Sequence, residues 1–227
     1  MPETLRWPVV LFDLDGTLAN SIDLILASYA HAFGAVTGRR ITSDEARPWI
    51  GETLAQTFGR EAPGHVADLE AAYRVYYEAH IGDVTGYPGA PELLADLRAA
   101  GATMGVVTAK RRPAAEMTMR RAGVAGLIDL IGTMEDAVAH KPDPEPLLVA
   151  ARKLGADLDD CVYVGDAVYD IQAARAAGMA VAAVTWGAGE ASELLALKPD
   201  VSASRMDELR EELLFDGSGY TSCPSSR

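Results

Sequence analysis

Val9-Val10-Leu11-Phe12-Asp13-Leu14-Asp15-Gly16-Thr17-Leu18 passes abruptly from an apolar run into two carboxylates and a glycine. Four apolar residues before a Gly turn predict a buried strand, and buried strands of α/β proteins present their chemistry at the C-terminal ends. Side chains alternate along an extended backbone, so Asp13 and Asp15 converge on one pocket if the strand continues that far. Two like charges that close need a cation, a proton or water between them. Taken alone, the stretch reads equally well as a solvated acidic turn.

Downstream, Asn20 and Ser21 suit the N-cap of a helix carrying Ile22, Ile25, Leu26, Tyr29 and Phe33 at helical spacing, stopped at Gly38. From there to about residue 82 the pattern predicts helices and no strand. They fall near 43–47, near 52–58 and over 65–81, the last striped by Val66, Leu69, Tyr73, Tyr76 or Tyr77, and Ile81. The Gly- and Pro-rich residues 82–91 read as a hinge. A regular alternation follows. A helix over 91–100 precedes a strand over 104–107 that leads into Thr108-Ala109-Lys110. Pro113 opens a helix that stops at Gly123, and a short strand is expected over 127–131. Lys141-Pro142-Asp143-Pro144 opens a helix to 154, a strand over 161–164 ends in Gly165-Asp166, and a helix over 169–177 precedes a strand over 180–184. A helix near 191–197, a strand near 200–201 and a helix over 206–214 close the pattern.

Strands separated by helices predict an α/β fold with a doubly wound parallel, Rossmann-like sheet. The expected organisation is a core formed by 1–18 and 86–215, an inserted helical subdomain over 19–85, and a disordered polar tail over 216–227.

Composition narrows the function classes. The 227 residues carry 33 acidic and 20 basic side chains, a net charge of −13, which disfavours nucleic acid and anionic membrane as partners. Cys161 and Cys223 offer no disulfide framework, and no apolar run reaches membrane-spanning length or carries a signal-peptide pattern, so a cytoplasmic protein is expected.

Polar residues recur after the predicted strands: Asp13 and Asp15 after the first, Thr108 after the second, and Asp166 with Asp170 after the fourth. In an open α/β sheet the ligand crevice lies there, and Lys141 at a Pro-marked loop can reach it. Four carboxylates with one hydroxyl and one ammonium suit a divalent cation and an anionic substrate. Hard oxygen ligands select Mg²⁺. Lys141, Thr108 and the backbone N–H groups of Leu14, Asp15 and Ala109 are then suited to the oxygens of a phosphate. The neighbouring Lys110, Arg111 and Arg112 are read as a solvated helix start. Thr108, Lys141 and Asp170 each also allow a structural reading, as a strand end, a surface lysine and a helix cap.

Across nearly the whole core these residues resemble the haloacid dehalogenase-like phosphohydrolases. The resemblance rests on Asp13-Leu14-Asp15-Gly16-Thr17, Thr108, Lys141 and Gly165-Asp166-Ala167-Val168-Tyr169-Asp170, in that order. The insertion is similar to the family's helical type 1 cap. Gly86-Tyr87-Pro88-Gly89 and Trp186-Gly187-Ala188-Gly189 resemble segments of the phosphoglycolate phosphatase-like branch. The resemblance implies Asp13 as the nucleophile that becomes phosphorylated and Asp15 as general acid and then base. It implies Mg²⁺ held by Asp13, the carbonyl of Asp15 and Asp166, with Asp170 acting directly or behind them. Thr108 and Lys141 would bind phosphate. Trp49-Ile50-Gly51-Glu52-Thr53 resembles a substrate-specificity loop, which makes Gly51, Glu52 and Thr53 candidates, although an ordinary Gly turn reads the same way. Ala167 and Asn20 depart from the family pattern, where Ser and Asp are frequent.

The expected reaction is hydrolysis of a small phosphorylated metabolite, with a phosphoglycolate-like monoester first, by a monomer or homodimer. A β-phosphoglucomutase-like mutase and a pyrophosphatase are the alternatives within the family, and a receiver-like signalling domain is the alternative outside enzymes. Asp15 argues against a dehalogenase, and the absence of lysine between 19 and 85 argues against a Schiff-base phosphonatase.

Overall fold

The computed structural model describes residues 4–215, so the predicted tail over 216–227 lies outside the described residues. In chain order the strands are β1 (Thr4–Leu5), β2 (Val9–Phe12), β3 (Ala19–Asn20), β4 (Thr85–Gly86), β5 (Thr103–Val107), β6 (Asp129–Gly132), β7 (Cys161–Gly165), β8 (Ala180–Val184), β9 (Val201–Ala203) and β10 (Leu214–Phe215). The α-helices are α1 (Ile22–Thr37), α2 (Ser43–Ala46), α3 (Leu54–Glu61), α4 (Val66–His80), α5 (Ala90–Ala99), α6 (Arg112–Arg121), α7 (Glu145–Leu154), α8 (Val168–Ala177), α9 (Ala191–Ala196) and α10 (Met206–Leu213).

Six strands form one parallel sheet in the order β6-β5-β2-β7-β8-β9. Counted within that sheet the order is three-two-one-four-five-six, the doubly wound arrangement whose crevice opens where the order reverses, at β2. All four residues of β2 are buried, because helices cover both faces. Val10 and Phe12 join one apolar cluster, and Val9 and Leu11 the other.

Residues 22–83 are helical throughout their regular elements, and α1 packs along α4. Tyr29 sits at the centre of that packing, with its ring 5.4 Å from Trp49, 5.7 Å from Phe58 and 5.0 Å from Tyr73. Edge-to-face aromatic contacts of this kind hold the helices together, within the same apolar cluster that takes in Val10 and Phe12 of the sheet.

Three local expectations need correction. Residues 19–20 read only as the approach to a helix and 82–91 as a hinge, with no strand at either. Instead β3 and β4 pair antiparallel, with Ala19 opposite Gly86 and Asn20 opposite Thr85, so the two crossings between sheet and helical segment are bonded to each other. Two-residue pairings leave no periodicity in a sequence. Gly86 is required there, since a Cβ would lie 2.3 Å from the Ala122 carbonyl oxygen. β2 stops at Phe12, so pleat alternation does not carry through to Asp15; the turn does. Its bonds are Gly16 N–H to Ala19 O and Ala19 N–H to Leu14 O, with Gly16 at a φ of 77°. Finally, Ser21 occupies the N-cap position of α1 without capping it, because its hydroxyl is drawn to Asp15 Oδ1.

Candidate active site

Every regular strand that reaches the crevice delivers a polar residue. The amide of Asp13 extends the ladder by bonding Val164 O at 2.8 Å, which fixes the residue one step beyond β2. Lys141 arrives from the loop before α7 and lies wholly inside the protein. Its Nζ donates to Asp13 Oδ1 at 3.0 Å, to Asp170 Oδ1 at 2.6 Å and to Tyr163 Oη at 3.1 Å, which uses all three ammonium protons. Tyr163 donates its own hydroxyl proton to Val107 O at 2.9 Å. Burial opposes charge on Lys141, but Asp13 and Asp170 outweigh it and hold the ammonium well above the usual lysine range. For Asp13, burial dominates and lifts the carboxyl to about 7; Lys141 pulls it down while Asp170 and Asp15 push it up.

Asp166 follows β7. Thr17 Oγ1 donates to its Oδ1 at 2.9 Å and the Ala188 amide to its Oδ2 at 2.7 Å. A Cβ on Gly16 or on Gly187 would lie 2.2 Å from Asp166 Oδ2, so two glycines from distant loops are required by one carboxylate. Burial first, then Asp170 and Asp13, raises its affinity for a proton far above the usual carboxylate range. Asp13, Asp166 and Asp170 each present an oxygen within 4.8 Å of the others. Asp170 Oδ2 also accepts from the amides of Asp166, at 3.2 Å, and Ala167, at 3.0 Å. Asp170 therefore both holds Lys141 and caps α8, and the two readings open in the sequence coexist.

Asp15 is served separately. Ser21 donates to Oδ1, and Lys110 Nζ lies 2.9 Å from Oδ2. The same ammonium stands 4.4 Å from the ring centroid of Tyr77, which projects from α4 and bonds Thr118 Oγ1 at 3.0 Å. Burial would lower the Lys110 ammonium, but Asp15 and then Tyr77 overcome it and hold the charge in place. The expectation of a solvated helix start at Lys110 is thus corrected. Its side chain is 13% exposed and lines the site, because Asp15 and an aromatic face from α4 both draw it inward. Of its neighbours, Arg112 does sit at the helix start and pairs with Asp136.

A cavity of about 370 Å³ opens from Asp13 and Asp15 toward the helical segment. Thr108 and Ala109 line it on the sheet side, with Thr108 buried and its Oγ1 accepting from the Lys110 amide at 3.2 Å. Among the described residues the amides of Leu14, Asp15 and Ala109 donate to no protein acceptor, an arrangement an oxyanion would satisfy. On the helical side Gly51 and Glu52 line the cavity. Gly51 has a φ of 103°, and a Cβ there would lie 3.3 Å from the Tyr169 ring. Glu52 accepts from Tyr169 Oη at 2.9 Å, Thr57 Oγ1 at 2.9 Å and Arg60 Nη1 at 2.8 Å. Thr53, the third candidate of that loop, faces elsewhere: its hydroxyl accepts from the Gln56 amide at 3.3 Å and caps α3.

Four carboxylates, Asp13, Asp15, Asp166 and Asp170, thus meet two ammonium groups, Lys110 and Lys141. The excess of two negative charges matches one divalent cation, and all-oxygen donors suit Mg²⁺. Residues to which the sequence reading gave no role in the site also build it. Tyr163 fixes Lys141, Thr17 and Gly187 fix Asp166, and Lys110 fixes Asp15. For Tyr163 a sequence signal did exist, since a phenol inside an apolar strand needs a partner for its hydroxyl.

Known proteins are similar to this chain over most of its length. A family described as haloacid dehalogenase-like hydrolase matches residues 10–184. The pyrophosphatase PpaX of Bacillus velezensis is 34% identical over 205 residues, covering 90% of this chain and 95% of that protein. PpaX of Bacillus pumilus is 35% identical over 201 residues, covering 88% and 93%. Among solved structures, a haloacid dehalogenase-like hydrolase from Bacteroides fragilis aligns with a TM-score of 0.82 at 28% identity, covering 90% of this chain and 100% of that one. A "predicted phosphoglycolate phosphatase" from Haemophilus somnus aligns at 0.80 and 25% identity, covering 91% and 97%.

Proposed function

Because the chain belongs to the haloacid dehalogenase-like hydrolases, we propose that it is a Mg²⁺-dependent phosphatase that cleaves a small phosphorylated substrate through an aspartyl-phosphate on Asp13. One observation carries this reading: two carboxylates at the end of the central strand, each held by its own ammonium, Asp13 by Lys141 and Asp15 by Lys110.

Asp13 is the nucleophile. Lys141 keeps it oriented and offsets its charge as an anionic phosphoryl group approaches. Asp15 faces the opposite side of the transferring group, protonating the leaving oxygen and later accepting a proton from the attacking water. Thr108 and the amides of Leu14, Asp15 and Ala109 hold the phosphoryl oxygens. Asp13, the carbonyl of Asp15 and Asp166 would hold Mg²⁺, with Asp170 behind them restraining Lys141. Bound there, the cation would neutralise charge on the phosphoryl oxygens. The helical residues 19–85 act as a cap that shields the cavity from water, and Gly51 and Glu52 border the substrate.

Inorganic pyrophosphate is the first substrate to test, supported by the names of the Bacillus relatives, and a phosphoglycolate-like monoester is the second, supported by the structural neighbour. The test is phosphate release from pyrophosphate, 2-phosphoglycolate and a set of sugar phosphates, with Mg²⁺ and with chelator. Release that needs Mg²⁺ is expected; no release from any of them, or release indifferent to chelator, refutes the proposal.

A further inference from the structure

Resting on that reading, we infer that Lys110 selects substrates whose leaving group carries negative charge at or beside the scissile oxygen. The two ammonium groups of the site are not equivalent. Lys141 is buried behind Asp13 and spends its three protons on Asp13, Asp170 and Tyr163, so it belongs to the transferring side. Lys110 lines the open cavity, and of its three donors Asp15 accepts one, while the face of Tyr77 takes up another side of the ammonium. A leaving group close enough to Asp15 for proton exchange is also within reach of the ammonium 2.9 Å from that carboxylate.

The surroundings make that reach selective. Beyond Asp15 the cavity is walled by Ile25, Tyr29, Ile50 and Tyr73, whose apolar faces give an anion nothing to bond, and by the half-buried carboxylates Glu52 and Glu70, which repel one. In such a wall one ammonium acts through a low local dielectric, and a charged hydrogen bond gains strength. Arg111 and Arg74 also line the cavity, but they are exposed at its mouth, where water screens them.

In the transfer, the Asp13 Oδ–P bond forms and the P–O bond to the leaving group breaks, with the electron pair passing to the leaving oxygen. An alkoxide must take the proton of Asp15. A phosphate leaving group keeps the pair as charge, which Lys110 offsets, and a small acid presents a carboxylate beside the scissile oxygen to the same ammonium. Phosphoanhydrides and phosphorylated small acids share this chemistry, and uncharged alkyl esters lack it.

The experiment measures kcat/KM for pyrophosphate, 2-phosphoglycolate and ethyl phosphate, the last a neutral-tailed counterpart of the second, in the wild-type chain, K110M and K110R. Wild type should prefer at least one charged substrate over ethyl phosphate by roughly 10- to 100-fold, the worth of one hydrogen bond to a charged group. K110M should lose most of that preference and K110R should keep most of it. Whichever charged substrate shows the preference identifies the source, anhydride or carboxylate. A K110M variant that slows all three substrates by the same factor marks Lys110 as merely structural and overturns the inference. So does a wild-type protein without the preference, a result that needs no variant and stands even if K110M does not fold. Release of phosphate from none of the substrates, by contrast, brings down the phosphatase reading together with this one.

Discussion

On the sheet side of the cavity Asp13, Lys141, Asp166 and Asp170 are no more than 5% exposed, and each side chain has a named hydrogen-bond partner. On the helical side the lining near Asp15 is mostly aromatic and aliphatic; of its charged members Arg74 and Glu78 are exposed, and the half-buried Glu52 is tied to Arg60, Thr57 and Tyr169. The difference lies in what each side tolerates. Buried charges that are paired and hydrogen-bonded resist change, because removing one strands the others. Apolar walls accept volume-conserving exchange at little cost. On the proposed reading the sheet side would fix the reaction, and the helical side would be where members of one family differ in substrate.

The comparison predicts a descending series of effects. Asp13→Asn should lower phosphate release by about 10⁴-fold or more, the scale seen when a nucleophile is removed, while thermal unfolding shows an intact fold. Residual activity within tenfold of wild type would remove Asp13 from the mechanism.

Gly187→Ala places a methyl group where only 2.2 Å separates it from Asp166 Oδ2. Displacing that carboxylate should weaken Mg²⁺ binding roughly 10- to 100-fold, read as the Mg²⁺ concentration for half-maximal rate. An unshifted Mg²⁺ curve would mean that Asp166 holds no cation.

The third effect depends on pH. Asp13 is raised from 3.8 to about 7, so its protonated form favours the folded state. Without metal, that contribution is present below pH ~4 and is lost as pH rises through about 7. A cation needs the ionised carboxylate and so opposes the loss. At a hundredfold excess over its Kd, Mg²⁺ should raise the thermal midpoint by roughly 5–10 °C at pH 8 and far less at pH 5. Equal shifts at both values would contradict burial as the source of the raised Asp13.

The smallest effect belongs to the helical side. Tyr169→Phe removes one hydrogen bond to Glu52, and Glu52 keeps Arg60 and Thr57. A change in KM of about fivefold or less and a stability loss of about 1 kcal/mol are expected from steady-state kinetics and denaturant unfolding. A hundredfold fall in kcat would place Tyr169 on the reacting side of the comparison.

How far the sequence could be read follows the same division. The six-stranded parallel sheet and the residues at its strand ends were legible because buried strands and glycine stops leave local patterns: Val9 to Phe12 before Asp13, Cys161 to Gly165 before Asp166. Lys110 was not, since its place is decided by Asp15 and Tyr77, far apart in the chain and joined only by folding. Thr53 misled for a local reason, as a threonine followed three residues later by glutamine is a helix start as readily as a binding loop. Ser21 misled in the opposite sense, offering a cap and giving its proton to Asp15 instead.

The pairing of Ala19–Asn20 with Thr85–Gly86 has a mechanical consequence. Two separate tethers would let the helical segment slide and twist against the sheet. Bonded side by side, with Gly86 seated on the Ala122 carbonyl and the Tyr87 amide tied to Leu18 O, they act as one hinge pin. A body hung on one pin would be left with a single easy motion, rotation, which would widen or narrow the mouth of the cavity while Tyr77, bonded to Thr118, stayed over Lys110.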